Sequence, residues 1–314
     1  MHSLNECNLC RNTSFREVLR GNDLMYRLAG DFILVECKNC SLRFLNPQPD
    51  KELAAHYPSE YYSVAHKIQR SKLSEFVYKT YFSDSGSKAL CVLFFPFYPI
   101  LRSAKIIPGK TVLDIGCGAG VFLSRMKHLG MIPSGVDPYI FNDIPGLGIK
   151  KGTLEQVNGT FDVITMNNVL EHVPDPDATF EHIARLLNRD GVAIIGVPNG
   201  NSLLFKLFKR NWAELDLPRH LFLFTEKNLR EYAKKHSLEV RKVRYNSVPF
   251  EFTGSIFYTL NKHKKLSHSF LVNNFFINAL FLPSCHLLNL FKRGSRIEIT
   301  LAHAASSSAT RARK

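Results

Sequence analysis

Residues 111–120 read TVLDIGCGAG. An apolar run carrying Asp114 enters a turn dense in glycine, Gly116, Gly118 and Gly120, and a helical pattern begins at Val121. Strand, tight turn and helix in that order let a backbone come close to a nucleotide-like ligand. The glycine spacing discriminates between ligands. A dinucleotide fingerprint counted from Gly116 requires glycine at position 121, where the chain has Val121, and here an acid stands before the first glycine. A nicotinamide-dependent oxidoreductase is therefore the poorer reading.

Outward from that turn, strand and helix patterns alternate. GVFLSRMKHLG is a helix stopped by Gly130, IPSGVDP a strand ending at Asp137, and GIKK a short strand. FDVITMNN, DATFEHIARLLNRDG and VAIIGVPN follow as strand, helix and strand. Nearly continuous apolar strands separated by helices indicate a parallel sheet covered on both faces, an α/β architecture. Beyond Asn201 lies a less regular stretch with the single Trp212 and LDLPRHLFLFT. TEKNLREYAKKHSL then reads as a helix capped by Thr225. LEVRKVRYN and GSRIEITLAHA are the last two strands, separated by an insertion at 247–292. That insertion is apolar, but Asn273, Asn274, Asn278, Pro283 and His286 interrupt it, which argues against a spanning helix. Three readings stay open: packing on its own domain, a helical hairpin over the substrate mouth, or an element lying in a membrane plane, flanked by Lys262, Lys264, Lys265, Lys292 and Arg293.

Four of the seven cysteines form two CxxC pairs, Cys7 with Cys10 and Cys37 with Cys40. Four thiolates at that spacing can close a tetrahedron around Zn²⁺, with no open position, so the expected role is structural. DFILVEC between the pairs alternates as in a hairpin. Such cysteine use suits a reducing, cytoplasmic compartment, and MHSLNECNLC has no secretory pattern. The expected division is a zinc-ribbon module over 1–48, a linker with helices over 49–107, the nucleotide-binding domain over 108–304 and a disordered basic tail over 305–314. LRFLNPQP reads as the exit into the linker, where Tyr57, Tyr61 and Tyr62 either reach over a neighbouring site or, the plainer reading, pack the small domain on the large one. The apolar run LCVLFFPFYPIL is too short and proline-broken to span a bilayer.

The formal net charge is +14, and positions 201–314 hold 20 Lys and Arg against 7 Asp and Glu. A basic C-terminal third favours an anionic partner: a phosphorylated or nucleotide-linked acceptor, nucleic acid or an acidic membrane surface. A solvated basic face with no partner is the plain alternative.

The motif DxGxGxG at 114–120 resembles motif I of the class I S-adenosylmethionine (SAM) methyltransferases, and VLEHVPDP at 169–176 resembles their motif after the fourth strand. The order of paired CxxC knuckles, LRFLNPQP, LDIGCGAG, VLEHVPDP and PRHLFLFT is similar to methyltransferases of polysaccharide-modifying clusters and of the ubiquinone pathway. The resemblance implies a Rossmann-like, doubly wound, mostly parallel sheet of seven strands, with the insertion before the last strand. One departure is that Arg11 and Ser41 stand where the family places glycine after each knuckle.

SAM binding needs close backbone approach, an acid for the ribose diol and a slot for adenine. Gly116, Gly118 and Gly120 supply the approach, Asp114 acceptors at the amino-acid end, and Asp137 two oxygens for the ribose. The resemblance adds Cys117, Pro138, Leu154, Glu155, Asn167 and Asn168 as cofactor contacts. Methyl transfer then requires positioning and, for a hydroxyl acceptor, a base. His172, beside Glu171, and His220 are the candidates, each with a structural reading against it; His182 reads as packing or solvated. The expected function is methylation of a small-molecule or glycan acceptor. RNA methylation and a non-catalytic SAM-fold scaffold are the alternatives.

Overall fold

The structure, a computed structural model, describes residues 1–49, 51–57, 76, 106–260 and 272–304. The helices expected in the linker lie outside these residues apart from positions 76, 106 and 107, as do Tyr61, Tyr62, Lys262, Lys264, Lys265 and the tail 305–314.

Three antiparallel strands open the chain: β1 (Phe15–Gly21), β2 (Phe32–Cys37) and β3 (Arg43–Leu45). LRFLNPQP, expected as the exit into the linker, supplies β3 before that exit: Phe44 and Leu45, on opposite faces of the strand, are both buried. The larger sheet is built from β4 (Thr111–Ile115), β5 (Ile132–Asp137), β6 (Ile149–Lys151), β7 (Phe161–Asn167) and β8 (Leu187–Pro198). Later in the chain come β9 (Phe222–Leu223), β10 (Leu238–Tyr245) and β11 (Arg296–His303). Its seven strands run in the order β10-β11-β8-β7-β4-β5-β6, parallel from β8 to β6, with β11 antiparallel to both neighbours. The doubly wound, mostly parallel sheet is as expected. Order reverses beside β4, and a switch point of that kind leaves a crevice at the C-terminal strand ends.

Adjacent residues of a strand face opposite sides of a sheet. Val112 and Val163 accordingly enter one apolar cluster, with Phe122, Leu123 and Met126 of α1 (Val121–His128). Leu113 and Ile164 enter another, with Phe180 and Ile183 of α2 (Pro176–Leu186). That second cluster is continuous with the N-terminal module through Leu34, Phe44 and Phe222. β9 explains the continuity. It pairs with β3 as the fourth strand of the small sheet, so a segment of the expected methyltransferase domain completes the expected zinc ribbon.

After β8 come α3 (Leu203–Phe208) and α4 (Glu226–Lys235), the latter closed by a Thr225–Asn228 capping box. The insertion forms α5 (Pro249–Leu260) and α6 (Phe275–Leu290). Phe252 stacks on Phe281 at 4.9 Å and Thr253 Oγ1 bonds Asn278 Oδ1 at 3.1 Å, joining the two helices. The asparagines that interrupt the apolar pattern are its fasteners: Asn274 caps α6, and Asn289 Oδ1 accepts the Ser247 amide. Among the described residues no helix is long and apolar enough to cross a membrane.

Candidate active site

At the turn after β4, Gly116 has φ +68°, and a Cβ there would lie 2.3 Å from Val169 Cγ2. Only glycine accepts both the left-handed backbone and that approach. The amide of Gly118 donates to Asp137 Oδ2 at 2.9 Å, and the amide of Tyr139 to Oδ1 at 2.8 Å. Two amides therefore fix the carboxylate at the end of β5, and each oxygen keeps a further lone pair for a ligand.

These residues border a cavity of about 510 Å³, within the ordinary range for small-molecule sites. Gly116, Asp137, Pro138, Leu154, Glu155, Asn167, Asn168 and His172 of the sequence-derived set line it. Cys117, Gly118 and Gly120 build the turn without lining the cavity, and Cys117 is packed in the core beneath it. Asp114 is likewise buried behind the wall, where Thr165 Oγ1 donates to its Oδ1 at 2.6 Å. Among the described residues the lining includes Asp137, Glu155 and Asp175 and no lysine or arginine. The cavity thus favours a cation such as a sulfonium or ammonium group, and does not supply the positive charge expected for an anionic acceptor.

The lining also includes Tyr57, Tyr139, Asn168 and His172. Tyr57 and Tyr139 stack at 5.3 Å, and Tyr57 Oη lies 2.9 Å from His172 Nδ1. Tyr57 therefore lines the site in addition to packing. The Arg219 carbonyl is also 2.9 Å from His172 Nδ1; a carbonyl only accepts, so Nδ1–H donates to it and Nε2 is the basic atom. His220 is nearly buried and outside the lining, packed edge-on to His172 at 4.6 Å. Its Nδ1–H donates to the Glu214 carbonyl at 3.0 Å. Burial holds both imidazoles down to about 3, so they are neutral bases near pH 7.

Glu171, the residue before His172, is buried and neither carboxyl oxygen accepts a hydrogen bond among the described residues. Burial pushes it up to about 8. Glu171, His172 and His220 hold ligand atoms within 4.8 Å of one another, a set that could also hold a cation. Glu214 and Glu251 are raised by burial too, and Arg296 is the positive charge these acids share.

Arg219 ties this wall together. Fully buried, it meets Asp23 through Nη1 at 2.8 Å and Nη2 at 3.0 Å, and Asp216 through Nη2 at 2.6 Å and Nε at 3.0 Å. Asp23 comes from the loop between β1 and β2, so the N-terminal module reaches the site. The sequence reading passed over Arg219, Asp23 and Tyr139, because long-range pairing leaves no local pattern. Trp212, the single tryptophan of the less regular stretch, packs in the core against Phe205.

In the N-terminal module Cys7 and Cys40 sulfurs lie 3.5 Å apart and those of Cys10 and Cys37 3.6 Å apart, with all four within 4.8 Å. Zn–S bonds of about 2.3 Å in a tetrahedron separate sulfurs by about 3.8 Å, so the cluster fits the metal. Arg11 and Ser41 take φ of 59° and 60°, the conformation that the missing glycines would have eased.

Residues 96–243 match the family model described as a methyltransferase domain. These residues form a methyltransferase domain. The chain is 27% identical over 190 residues to the ubiquinone biosynthesis O-methyltransferase of Pseudomonas paraeruginosa, covering 53% of this chain and 77% of that protein. The Haemophilus ducreyi protein of the same name is 30% identical over 156 residues, 43% of this chain and 66% of the relative. A solved cyclopropane synthase from Mycobacterium tuberculosis is 18% identical, covering 81% of this chain and 94% of that one, with a TM-score of 0.42.

Proposed function

We propose that the protein transfers a methyl group from SAM to a hydroxyl of a small-molecule or glycan acceptor, with His172 Nε2 taking the proton. The observation that carries this reading is the single cavity running from the glycine turn and Asp137 to Tyr57 and His172. Asp137 and Glu155 bind the adenosine end, while the stacked Tyr57 and Tyr139 offer an aromatic platform for a ring. His220 positions His172 from behind. O-methylation is also the reaction in the name of the ubiquinone-pathway relatives. Cys7, Cys10, Cys37 and Cys40 hold a structural zinc that supplies folding energy to the module.

RNA is the weaker acceptor, because four arginines of the N-terminal module are paired with carboxylates of that module. Arg16 and Arg43 both meet Glu36, Arg20 meets Glu17 and Arg11 meets Glu6.

Calorimetry with S-adenosylhomocysteine (SAH), then turnover on a panel of glycan and phenolic acceptors, tests the reading; absence of SAH binding removes the enzyme. His172→Gln is expected to lower turnover roughly a hundredfold while leaving SAH affinity intact. Full turnover by that variant removes the base. Turnover lost on chelation, with the cysteine-bound zinc retained, moves the reading to a cation held by Glu171, His172 and His220.

A further inference from the structure

The sequence of α6, FFINALFLPSCHLLNL, contains no Asp, Glu, Lys or Arg. Asn278 bonds Thr253 of α5, Asn289 accepts the Ser247 amide and Cys285 is buried. Phe276, Leu280, Pro283, Leu287 and Leu290 fall on one line at alternating spacings of four and three, and all five are exposed. Phe276 is 79% exposed, Leu280 76% and Leu290 73%, with Phe275 and Phe291 at 69% extending the stripe at both ends. A water-facing helix ordinarily shows its charged side outward.

Beside this stripe runs a groove of about 620 Å³ bounded by His286 and Leu290 of α6 and by β10, the edge strand of the large sheet. Arg230, Arg241, Lys242, Arg244 and Lys292 line it; Arg241 pairs with Glu239, the buried Arg244 lies 3.8 Å from Glu298, and Glu226 is the carboxylate among the lining residues. That carboxylate is already held by Tyr245 Oη at 2.6 Å and Arg230 at 2.7 Å. Arg293 adds an exposed cation at the end of the helix.

We infer that α6 and the cationic edge of β10 form a docking surface for a membrane leaflet rich in anionic phospholipid. An uncharged apolar stripe next to a bank of cations is the chemistry of a helix lying in the interface plane, its rings among the acyl chains and its cations at the headgroups. At 16 residues with an internal proline, α6 is too short to span. A second copy of the chain is the poorer occupant. Its stripe would bring the same cations against each other, and α6 has no flanking charges of opposite sign to pair two helices. The inference is independent of the acceptor proposed above.

Cosedimentation of the full, zinc-loaded chain with vesicles tests it. The protein is expected to bind vesicles of phosphatidylcholine and phosphatidylglycerol and to bind pure phosphatidylcholine far more weakly. Phe276→Ser with Leu280→Ser should reduce binding roughly tenfold at every salt concentration, since the loss is of apolar contact. Lys242→Gln with Lys292→Gln should reduce it by a similar factor at low salt, the difference shrinking to nothing near ~1 M salt, where screening is strong. These side chains are exposed, so SAH affinity and the thermal midpoint of both variants should match the parent and show that they fold. No binding to anionic vesicles, wild-type binding by the Phe276/Leu280 variant, or indifference to the two lysines would overturn the inference. So would a dimer in sedimentation velocity that those serines dissociate, because the face would then belong to a second copy.

Discussion

The two ends of the cavity are built in opposite ways. The donor end comes from consecutive residues: β4, the glycine turn and Asp137 of the neighbouring strand, joined by amide-to-carboxylate bonds. The acceptor end comes from residues far apart in the chain. Tyr57 reaches His172, and Arg219 reaches Asp23, 196 residues away. A site assembled locally keeps its geometry when distant parts are disturbed, whereas one assembled at long range is only as stable as the ion pair and the packing that hold it.

The substitution expected to break this contrast most visibly is Arg219→Ala. Two carboxylates, Asp23 and Asp216, lose their buried partner, and a loss of about 3–5 kcal/mol in unfolding free energy is expected by denaturant titration. An unchanged midpoint would mean the acceptor wall supports itself. Gly116→Ala strikes the donor end. The added Cβ must displace Val169 in a backbone that disfavours it, a strain of about 1–3 kcal/mol, and SAH affinity should fall roughly tenfold or more by calorimetry.

Glu171→Gln sharpens the contrast through pH. Ionising Glu171 places a negative charge within 4.8 Å of both imidazoles and raises their basicity, so turnover in the parent should climb as pH passes about 8. The glutamine variant should lose that limb and keep its SAH affinity. Stability moves the other way. The folded carboxyl, raised to about 8, holds a proton that the unfolded one releases near pH ~4, so stability is full below that range and declines as pH rises through about 8. Thermal midpoints of parent and variant across this window would show it.

The smallest effect is expected at Ser41→Gly. Relieving a left-handed serine should stabilise the module by up to about 1 kcal/mol, less the entropy glycine costs, with SAH affinity unaltered. A change in SAH affinity would mean that strain in the knuckle reaches the donor end.

The same contrast explains what could be read from the sequence. The parallel strands, the glycine turn, Asp137 and the cysteine pairs were legible because each depends on neighbours or on a fixed spacing. Thr225 was legible as a cap because capping is settled within one turn. Asp114 sits one shell deeper than its motif suggests, since Thr165 on the adjacent strand takes its oxygen. His220 looked as available as His172, and only the fold shows one lining the cavity and the other behind it. The part of β9 in the first sheet was hidden for a related reason: a two-residue strand is too short to show a period, so nothing in LFLFT announced that it pairs with β3.

That strand also sets an order of events during synthesis. The first three strands leave the ribosome early, but the outer edge of β3 waits for β9, and the Cys40 carbonyl waits for Asn228, 188 residues downstream. Until then a nascent chain carries an open sheet edge, the kind of surface that invites wrong pairing and chaperone attention. Cutting the chain after the first 48 residues would recreate that intermediate permanently, so the N-terminal module is a half-finished sheet on its own and a finished one only once β9 has been made.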